Sequence, residues 1–530
     1  MTKKRFYITT PIYYPSAKLH IGHAYCTTLT DVFARYKRMR GFECYFLTGA
    51  DEHGQKIEKN AALAGKTPQE FVDEIVDGFH KLWNLLEISN DDFIRTTQDR
   101  HVKVVQNIFT KMLEKGDIYL GKYKGWYCTP CESFWTDTQV GPDHICPDCG
   151  RPVQVAEEEA YFFKTSRYVD SLLKFYEDNP KFLTPESRKN EMINTFIKPG
   201  LDDLCVSRTS FSWGIQIKEN PKHVVYVWLD ALTNYITALG YDSDDDSLFK
   251  KYWEDPECEI IHILGADITR FHAIYWPMFL ESLGLRKPDR EFVHGLLMMR
   301  DSKMSKSKGN VVDPYPLVER YGVDAVRYYL TREVTFGSDG SFSPEQFVER
   351  VNSDLANSFG NLLNRTVSMI NKYFDGVIPH YKGDVTAFDG ALRASAESTV
   401  NIYESNLDDL KITEAIVAVN ELVSRANKYI DETTPWVLSK EGKTDDLASV
   451  MNHLANAIFI AAKLYEPVLV QSSKKVYDQL GIPEEDRKYE KVYDFGSISG
   501  FKVVKGDQLF PRLDTEIEVN FIQELMNGNK

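Results

Sequence analysis

Short apolar runs alternate with amphipathic segments in the first half of the chain. The β-branched and aromatic run at 6–10 predicts a buried parallel strand, which Pro11 and Pro15 are expected to end. A Thr-Pro-Gln-Glu sequence at 67–70 combines an N-cap, a first-turn proline and a capping-box acid, which predicts a helix start. The further predicted elements of this half are strands at 43–47, 259–264 and 290–297 and helices at 20–40 and 269–283. This alternation predicts an open parallel sheet with its site at the carboxyl ends of the strands.

The pattern becomes almost wholly helical from residue 344 onward. Apolar residues spaced three and four apart between Leu355 and Ile370 mark one amphipathic helix, and 412–429 and 447–465 mark two others. Amphipathic helices of this length pack well as an antiparallel bundle. The sequence therefore predicts an α/β part followed by an all-α part.

The α/β pattern is interrupted between 118 and 223 by short β-like segments and resumes at 224. The α/β domain is thus predicted to be split by an insertion. The expected divisions are the first half of the α/β domain at 1–117, the insertion at 118–223, the second half at 224–310, a linker at 311–343 and the helical domain at 344–530.

Composition and charge indicate a multidomain protein of a reducing compartment. A chain of 530 residues exceeds what one hydrophobic core usually serves, and eight cysteines in that length do not make a disulfide framework. No apolar run reaches membrane-spanning length, and the first strand begins too close to Met1 for a signal peptide. A net charge of −15 argues against nonspecific coating of nucleic acid but does not exclude a specific nucleic-acid substrate. We expect a cytoplasmic protein without a membrane partner.

Four cysteines form the pattern C-x2-C-x14-C-x2-C, namely Cys128, Cys131, Cys146 and Cys149. Each pair turns two sulfurs toward one point, and four thiolates complete a closed tetrahedral shell. The spacer of 14 residues is one shorter than the usual zinc-ribbon range. Redox-active dithiols are the alternative, but two pairs in one small, loop-rich module favour one structural Zn²⁺ per chain.

Two histidines stand where the first predicted strand gives way to a helix. A helix N-terminus at the carboxyl end of a strand binds anions, and Gly22 leaves room for a base or a phosphate. His20 and His23 add donors that suit a phosphorus centre on which negative charge grows. Helix-cap or core histidines bonded to nearby backbone are the alternative for any H-x-x-H pattern.

A lysine-rich segment at 303–310, KMSKSKGN, is a second candidate for phosphate binding. Lys303, Lys306 and Lys308 alternate with small polar residues, as in a basic loop that wraps a polyphosphate, although alone it could be a solvated surface loop. Together, HIGH at 20–23 and KMSKS at 303–307 make the chain resemble the class I aminoacyl-tRNA synthetases, and both motifs match without substitution.

The resemblance implies an ATP site. It implies that His20 and His23 contact ATP, bound with Mg²⁺, and that Lys303 and Lys306 belong to the catalytic loop. Lys306 would stabilise the transition state and the departing pyrophosphate. The catalytic residues implied are His20, His23, Lys303 and Lys306, and the ATP-binding residues are His20, Gly22, His23, Gly265, Asp267 and Lys306.

Five stretches narrow the resemblance to the methionyl-tRNA synthetases, namely PIYYPSAKLHIGHA, TGADEHG, VYVWLDALTNY, GADITRFHAIYWP and DSKMSKSKGN. A methionine side chain needs an apolar, aromatic slot with one polar partner. Asp51 matches the carboxylate that holds the substrate ammonium. The implied methionine-binding residues are Ile12, Tyr14, Asp51, Trp228, Ala231, Leu232, Tyr235, Ile268 and His272. For Trp228 and Tyr235, ordinary core packing is the alternative.

The same resemblance implies that the helical domain binds the anticodon. Asn361, Arg365 and Trp436 match the positions that bind CAU. Aromatic stacking and planar donors recognise splayed single-stranded bases. A hydrophobic lid over helix ends is the alternative role for Trp436.

The implied fold is a Rossmann-like parallel-sheet catalytic domain, split by a zinc-knuckle insertion and followed by an all-α anticodon-binding bundle. The implied reaction is ATP-dependent activation of L-methionine to methionyl-adenylate with release of pyrophosphate, then transfer to the 3′ end of initiator and elongator tRNA(Met). The chain ends at Lys530 without the appended tRNA-binding module of many bacterial relatives, so a monomer, or else a shortened form, is expected.

Three other functions share some of these features. The cysteinyl synthetases carry their zinc in the substrate site, whereas these four cysteines lie outside the predicted sheet. A HIGH-type nucleotidyltransferase needs no helical bundle after the lysine loop. An inactive synthetase acting as a zinc-ribbon RNA-binding protein is opposed by the intact HIGH, KMSKS and Asp51. Two departures from the family are the single four-cysteine set, where some relatives have two, and Ala266 where a lysine is common.

Overall fold

The structure is a computed structural model that describes residues 4–131, 133–135, 137–299, 302–303, 312–334 and 337–528. The chain forms two compact units. The first consists of Met1–Leu19, Phe42–Leu82 and Ser89–His294, and the second of His20–Gly41, Trp83–Ile88 and Gly295–Lys530. Each unit is therefore discontinuous in sequence.

A parallel sheet lies in the first unit. The strands of this unit are β1 (Arg5–Tyr13), β2 (Glu43–Ala50), β3 (Asp92–Arg95), β4 (Ile118–Cys128), β5 (Ser133–Trp135), β6 (Gln154–Phe163), β7 (Leu183–Thr184), β8 (Leu204–Cys205), β9 (Ser207–Arg208), β10 (Val224–Val225), β11 (Cys258–Gly265) and β12 (Arg290–His294). Six of them pair in parallel in the order β3-β2-β1-β11-β12-β7. Phe6, Tyr7 and Ile8 of the central strand β1 are fully buried, as expected for a sheet covered on both faces. The predicted Rossmann-like sheet is confirmed.

Strand β1 is longer than its sequence predicts. It continues through Pro11 to Tyr13 instead of ending at Thr10. Its register with β2 shifts between Thr9 and Ile12, so the proline lies in an irregular part of the ladder. A proline lacks the N–H that a regular ladder needs, and an irregularity of this kind accommodates it. The prediction that Pro11 ends the strand is therefore wrong.

The insertion contains a second, antiparallel sheet. Its strand order is β5-β4-β6-β8, and β4 pairs with β6 along most of its length. The short strands β9 and β10 form a separate antiparallel pair. The β-like pattern that interrupts the α/β alternation thus corresponds to short, antiparallel structure.

Helices make up most of the remaining structure. The α-helices are α1 (Ile21–Met39), α2 (Gln55–Leu63), α3 (Pro68–Leu85), α4 (Asp99–Glu114), α5 (Asp137–Val140), α6 (Val169–Asp178), α7 (Glu186–Glu191), α8 (Val227–Leu232), α9 (Asn234–Thr237), α10 (Ser247–Phe249), α11 (Trp276–Ser282), α12 (Pro314–Tyr321), α13 (Val323–Arg332), α14 (Pro344–Arg350), α15 (Asn361–Phe374), α16 (Asp389–Asp408), α17 (Ile412–Thr433), α18 (Pro435–Lys440), α19 (Thr444–Tyr465), α20 (Ser472–Leu480) and α21 (Thr515–Gly528). Wider π-helical segments cover Met192–Ile197, Lys250–Glu254, Phe271–Tyr275 and Val351–Gly360, and tighter 3₁₀ segments cover Thr165–Arg167, Ala266–Ile268, Glu484–Asp486 and Tyr489–Tyr493.

Helix α3 begins as its sequence predicts. The Thr67 N–H donates to Glu70 Oε2 at 2.9 Å, and the Glu70 N–H donates to Thr67 Oγ1 at 3.3 Å. Pro68 takes the first helical position, where no N–H is needed. The predicted capping box is confirmed.

The second unit contains the predicted helical bundle. Helices α16, α17 and α19 pack against one another around buried apolar residues. The buried Asp389 joins these three helices, because Tyr429 and Ser449 both donate hydrogen bonds to its carboxylate. Three short strands of this unit, β13 (Leu297–Met299), β14 (Ser302–Lys303) and β15 (Gly340–Ser341), pair in the order β14-β13-β15.

Helix α19 is the one helix in the described ranges that is long and apolar enough to cross a membrane. Its most apolar window is wholly buried inside the protein. A helix that is apolar on all sides and packed among others forms the centre of a bundle.

Candidate active site and metal site

Asp51 lies at the carboxyl edge of the parallel sheet. It directly follows β2, and its N–H donates to the Tyr13 carbonyl at 3.0 Å, which ties the end of β2 to the end of β1. Its side chain is buried, while Ile12 and Tyr14 at the end of β1 are half-buried. The structure thus brings three predicted methionine-binding residues to the edge at which open parallel sheets bind ligands.

A buried hydrogen-bond chain begins two residues after Asp51. His53 Nδ1 lies 2.7 Å from Asp230 Oδ2, and His101 Nε2 lies 2.8 Å from Asp230 Oδ1. His101 Nδ1 is also 2.7 Å from Thr237 Oγ1. Burial raises the pKa of Asp230, but the hydrogen bonds and charge of the two histidines outweigh it and bring the pKa down to about 2. The ionised Asp230 therefore fixes the loop after β2 to helix α8.

An apolar wall is formed by helix α8 and the segment 265–276. The rings of Trp228 and Phe271 stack with centroids 3.5 Å apart and planes 7° apart. Ala231 is buried on the same helix as Trp228. Several predicted methionine-binding residues belong to, or pack against, the large apolar core of the first unit. They are Ile12, Trp228, Leu232, Tyr235 and Ile268.

Tyr235 of helix α9 and His272 of the segment 265–276 form a polar pair beside the wall. Tyr235 Oη lies 2.8 Å from His272 Nε2, and His272 Nδ1 lies 3.1 Å from the Ile268 carbonyl. A carbonyl can only accept, so Nδ1 carries the ring hydrogen and Nε2 accepts from the tyrosine hydroxyl. Burial lowers the pKa of His272 to about 4, so the ring is neutral at neutral pH. The pair gives this apolar wall a neutral, fixed polar group.

Gly265 is the last residue of β11, and Asp267 lies two residues further on. A Cβ on Gly265 would lie 2.9 Å from Asp267 Oδ1 and 3.6 Å from His294 Cε1. Glycine therefore keeps this strand end free of side-chain bulk, as required where a ligand approaches the backbone closely. Asp267 is exposed.

The histidines of the HIGH motif belong to the second unit, where they cap helix α1. The Gly22 N–H donates to His20 Nδ1 at 3.1 Å, and the His20 N–H donates to His23 Nδ1 at 3.1 Å. The two rings are 4.0 Å apart. Because both Nδ1 atoms accept, the hydrogen of each neutral ring is on Nε2. The capping role considered for these histidines is present, and it uses only one nitrogen of each ring.

The lysines of the KMSKS segment are described only in part. The backbone of Lys303 belongs to β14 and pairs with Met298 of β13. Lys306 lies outside the described residues. The predicted ATP-binding residues are divided between the two units, with Gly265 and Asp267 in the first and the HIGH motif in the second.

The four predicted metal ligands come together in the first unit. The Sγ atoms of Cys128, Cys131, Cys146 and Cys149 all lie within 4.8 Å of one another, and two of the pairs are 3.5 and 3.8 Å apart. Tetrahedral Zn–S bonds of about 2.3 Å place sulfurs about 3.8 Å apart, so the spacing fits a four-thiolate site. Burial raises the pKa of Cys128 to about 12, so the thiolate form of this residue needs a nearby cation. The cluster can hold a metal ion such as zinc.

The predicted anticodon residues lie near one another in the second unit. Asn361 and Arg365 are one turn apart on α15, and Arg365 Nη2 lies 3.4 Å from Asp431 Oδ1 of α17. Trp436 follows Asp431 closely in the chain, on α18, and is 41 % exposed. An exposed tryptophan suits base stacking.

Some residues of the site were not singled out from the sequence. His53, Asp230 and Phe271 lie inside the stretches that resemble the family, so the sequence indicates the region of the site that contains them. His101 stands in an ordinary amphipathic helix, α4, where no local pattern marks it. Only the folded structure brings it to Asp230.

Family models match nearly the whole chain. The model described as tRNA synthetases class I (M) matches residues 6–156 and 143–367, and the model described as the anticodon binding domain of methionyl tRNA ligase matches 378–525.

Curated relatives are similar over the full chain. A methionine–tRNA ligase of Oceanobacillus iheyensis is 57 % identical over 99 % of this chain and 79 % of its own length. That of Bacillus subtilis is 55 % identical over 99 % of this chain and 80 % of its own length.

Solved structures show the same similarity. Mycobacterium tuberculosis methionyl-tRNA synthetase in complex with methionyl-adenylate aligns with a TM-score of 0.91 and 42 % identity, covering 96 % of this chain and 100 % of that one. The apo form of that protein aligns with a TM-score of 0.85 and 39 % identity, covering 97 % and 99 %. With a parallel sheet, a four-cysteine cluster and a helical bundle in agreement, this chain belongs to the methionine–tRNA ligase family of class I aminoacyl-tRNA synthetases.

Proposed function

We propose that this chain charges tRNA(Met) with L-methionine in two steps. The carboxylate of methionine attacks the α-phosphorus of ATP, bound with Mg²⁺, and pyrophosphate leaves. The terminal ribose hydroxyl of the tRNA then attacks the carbonyl carbon of methionyl-adenylate, and AMP leaves. Both steps depend on positioning and on stabilising developing charge, without a covalent bond to the protein.

The observation that carries the proposal is the neutral Tyr235–His272 pair in an apolar, aromatic wall. A thioether is polarizable and accepts hydrogen bonds weakly, so it gains from such a wall and from one fixed polar group. A charged side chain would lose its hydration there without a counter-ion. We assign the side-chain pocket to Ile12, Tyr14, Trp228, Ala231, Leu232, Tyr235, Ile268 and His272. Asp51 would pair with the substrate ammonium.

The nucleotide roles follow from the donors available. His20 and His23 would each direct Nε2–H to phosphate oxygens, because their Nδ1 atoms are occupied by backbone N–H groups. Gly22, Gly265 and Asp267 would contact ATP at the strand and helix ends. Lys303 and Lys306 would supply positive charge, with Lys306 stabilising the departing pyrophosphate.

The four-cysteine cluster would hold one Zn²⁺ with a structural role. Four sulfur ligands fill the coordination shell, which leaves no position for substrate. When bound, the ion supplies stability to an insertion whose local core is small, comprising Cys128, Trp135, Val140, Cys146 and Val153.

The helical domain would bind the anticodon of initiator and elongator tRNA(Met). Trp436 would stack on a base, because its side chain is 41 % exposed, and Asn361 and Arg365 would offer planar donors. We propose that the protein works in the cytoplasm, where these tRNAs are charged.

ATP–pyrophosphate exchange measured with each proteinogenic amino acid tests the first step. Methionine should support exchange far above every other amino acid, and charging of both tRNA(Met) species should follow. Faster exchange with cysteine or leucine than with methionine would overturn the assignment. Metal analysis of the purified protein should give about one zinc per chain, as four thiolates imply.

A further inference from the structure

The guanidinium of Arg270 lies among three aromatic rings of the first unit. Its Cζ is 5.3 Å from the ring centroid of Trp135, 5.2 Å from that of Phe196 and 4.7 Å from that of Phe271. The side chain is half-buried, and no carboxylate of the described residues forms an ion pair with it. Ring faces attract a cation more strongly as water is excluded, so these contacts hold Arg270 in one place.

The rings that Arg270 touches belong to two different sites. Trp135 is buried in the small core that also contains Cys128 and Cys146 of the metal cluster. Phe271 stacks on Trp228 in the wall of the methionine pocket and directly precedes His272. One guanidinium therefore spans the distance from the metal cluster's core to the pocket wall.

A second arginine links the same two regions. The Cζ of Arg208 lies 4.2 Å from the Tyr127 ring and 5.1 Å from the Tyr226 ring. Tyr127 directly precedes Cys128, and Tyr226 directly precedes helix α8, which carries Trp228. The contact between the insertion and the pocket wall is thus made twice with the same chemistry.

We propose that Arg270 is a positioning residue for methionine, which couples metal binding at the four cysteines to the placement of Phe271 and Trp228. The inference rests on the proposed function, because it assigns methionine to that pocket. A metal ion fixes the cysteines and therefore also Trp135, which packs in the same small core. Trp135 in turn orients the guanidinium of Arg270. Arg270 then holds the ring of Phe271 against that of Trp228. Loss of any one of these contacts lets the pocket wall relax before substrate arrives, and methionine binding must then restore it.

A double-mutant cycle tests this coupling. Methionine affinity is measured by calorimetry without ATP for the wild type, Arg270→Met, Trp135→Leu and the double variant, all loaded with zinc. Loss of a partly buried cation–ring contact should raise the Kd for methionine about threefold to thirtyfold in each single variant. The double variant should be no weaker than the weaker single variant, because both remove the same contact.

Arg188→Met is the matched control. Arg188 is half-buried in the same unit, pairs with Glu191 at 2.8 Å and, among the described residues, forms no ion pair or ring contact with the metal cluster or the pocket wall. Its methionine Kd should stay within twofold of the wild type. Arg270→Lys keeps the charge but loses the flat guanidinium, so an intermediate Kd is expected, and this variant serves if Arg270→Met does not fold.

Coupling between two binding sites must act in both directions. Saturating L-methionine should therefore slow the transfer of zinc from the wild-type protein to a chelating dye, and this protection should shrink by at least half in Arg270→Met. That readout does not depend on catalysis. A purely local structural role for Arg270 would change the transfer rate without making it less sensitive to methionine.

The outcomes separate the inference from the proposed function. If wild-type protein fails to bind methionine, the proposed function is wrong. If it binds methionine but Arg270→Met or Arg270→Lys binds equally well, or if the effects of Arg270→Met and Trp135→Leu multiply, Arg270 does not couple the two sites. Weakened binding with a coupled cycle and lost protection of zinc supports the inference.

Discussion

Replacing Asp230 with asparagine should weaken both the stability of the first unit and the binding of methionine. Asp230 is fully buried, and its carboxylate accepts hydrogen bonds from His53 and His101 at 2.7 and 2.8 Å. Its pKa is about 2 in the folded protein against an ordinary value of 3.8. At about 1.4 kcal/mol per pH unit, this difference corresponds to roughly 2 kcal/mol of stability carried by the ionised form.

The sign of the pH dependence follows from the direction of that difference. Because the folded pKa is depressed, the stabilisation is fully present above pH 3.8 and is lost as the pH falls toward 2. At neutral pH, Asp230→Asn removes it while nearly preserving the volume of the side chain. We expect the free energy of unfolding to fall by about 2 kcal/mol in urea titrations followed by tryptophan fluorescence.

The same substitution should raise the KM for methionine several-fold in ATP–pyrophosphate exchange. Asp230 ties the loop that carries Asp51 to the helix that carries Trp228, so both would lose a fixed position. The KM for ATP should change little.

Asp117→Asn is the control for this experiment. Asp117 is also buried with a lowered pKa, and it accepts hydrogen bonds from Arg167, Tyr168 and Ser282 away from the pocket wall. The Asp117→Asn variant should have a lower free energy of unfolding than the wild type and an unchanged KM for methionine. Equal increases in KM for both variants, or an unchanged stability of Asp230→Asn, would refute the reasoning.

Three further outcomes are expected. Lys306→Ala should reduce the rate of pyrophosphate exchange while leaving the methionine Kd unchanged, as for a contact made mainly in the transition state; unchanged exchange would contradict its assigned role. Trp436→Ala should spare pyrophosphate exchange but weaken tRNA charging, whereas equal loss in both assays would identify a packing residue. Because burial lowers the pKa of His272 to about 4, calorimetric methionine affinity should stay constant from about pH 8 down to about pH 5.5 and weaken only near pH 4. A midpoint near 6.5 would mean that the ring is not buried as described.

Local sequence rules predict the elements whose causes are local. The capping box at Thr67 and Glu70 is confirmed, and the helix at 20–40 begins at Ile21 and ends at Met39. The spacing of the cysteines likewise predicts a cluster, because each C-x-x-C turn brings two sulfurs together by itself.

Features that depend on several elements at once do not follow from the sequence. The π-helical turn at Phe271–Tyr275 lies inside a predicted helix, and a period of 3.6 residues cannot reveal it. The strand β1 passes Pro11 because β2 tolerates a shift in register. The bonds between His53, Asp230 and His101 join three segments far apart in the chain, and only packing brings them together.

The reciprocal cap formed by His20 and His23 explains why this motif has its spacing. The N-cap residue and the third residue of a helix face each other at the helix start. The side chain of each can accept a hydrogen bond from the backbone N–H of the other. An interval of three is therefore a property of how a helix starts, and the proposed contacts with the nucleotide would use rings that the helix start has already oriented. Variants of His20 should be judged beside an asparagine replacement, and variants of His23 beside a glutamine replacement, because these side chains can retain the cap while removing the imidazole.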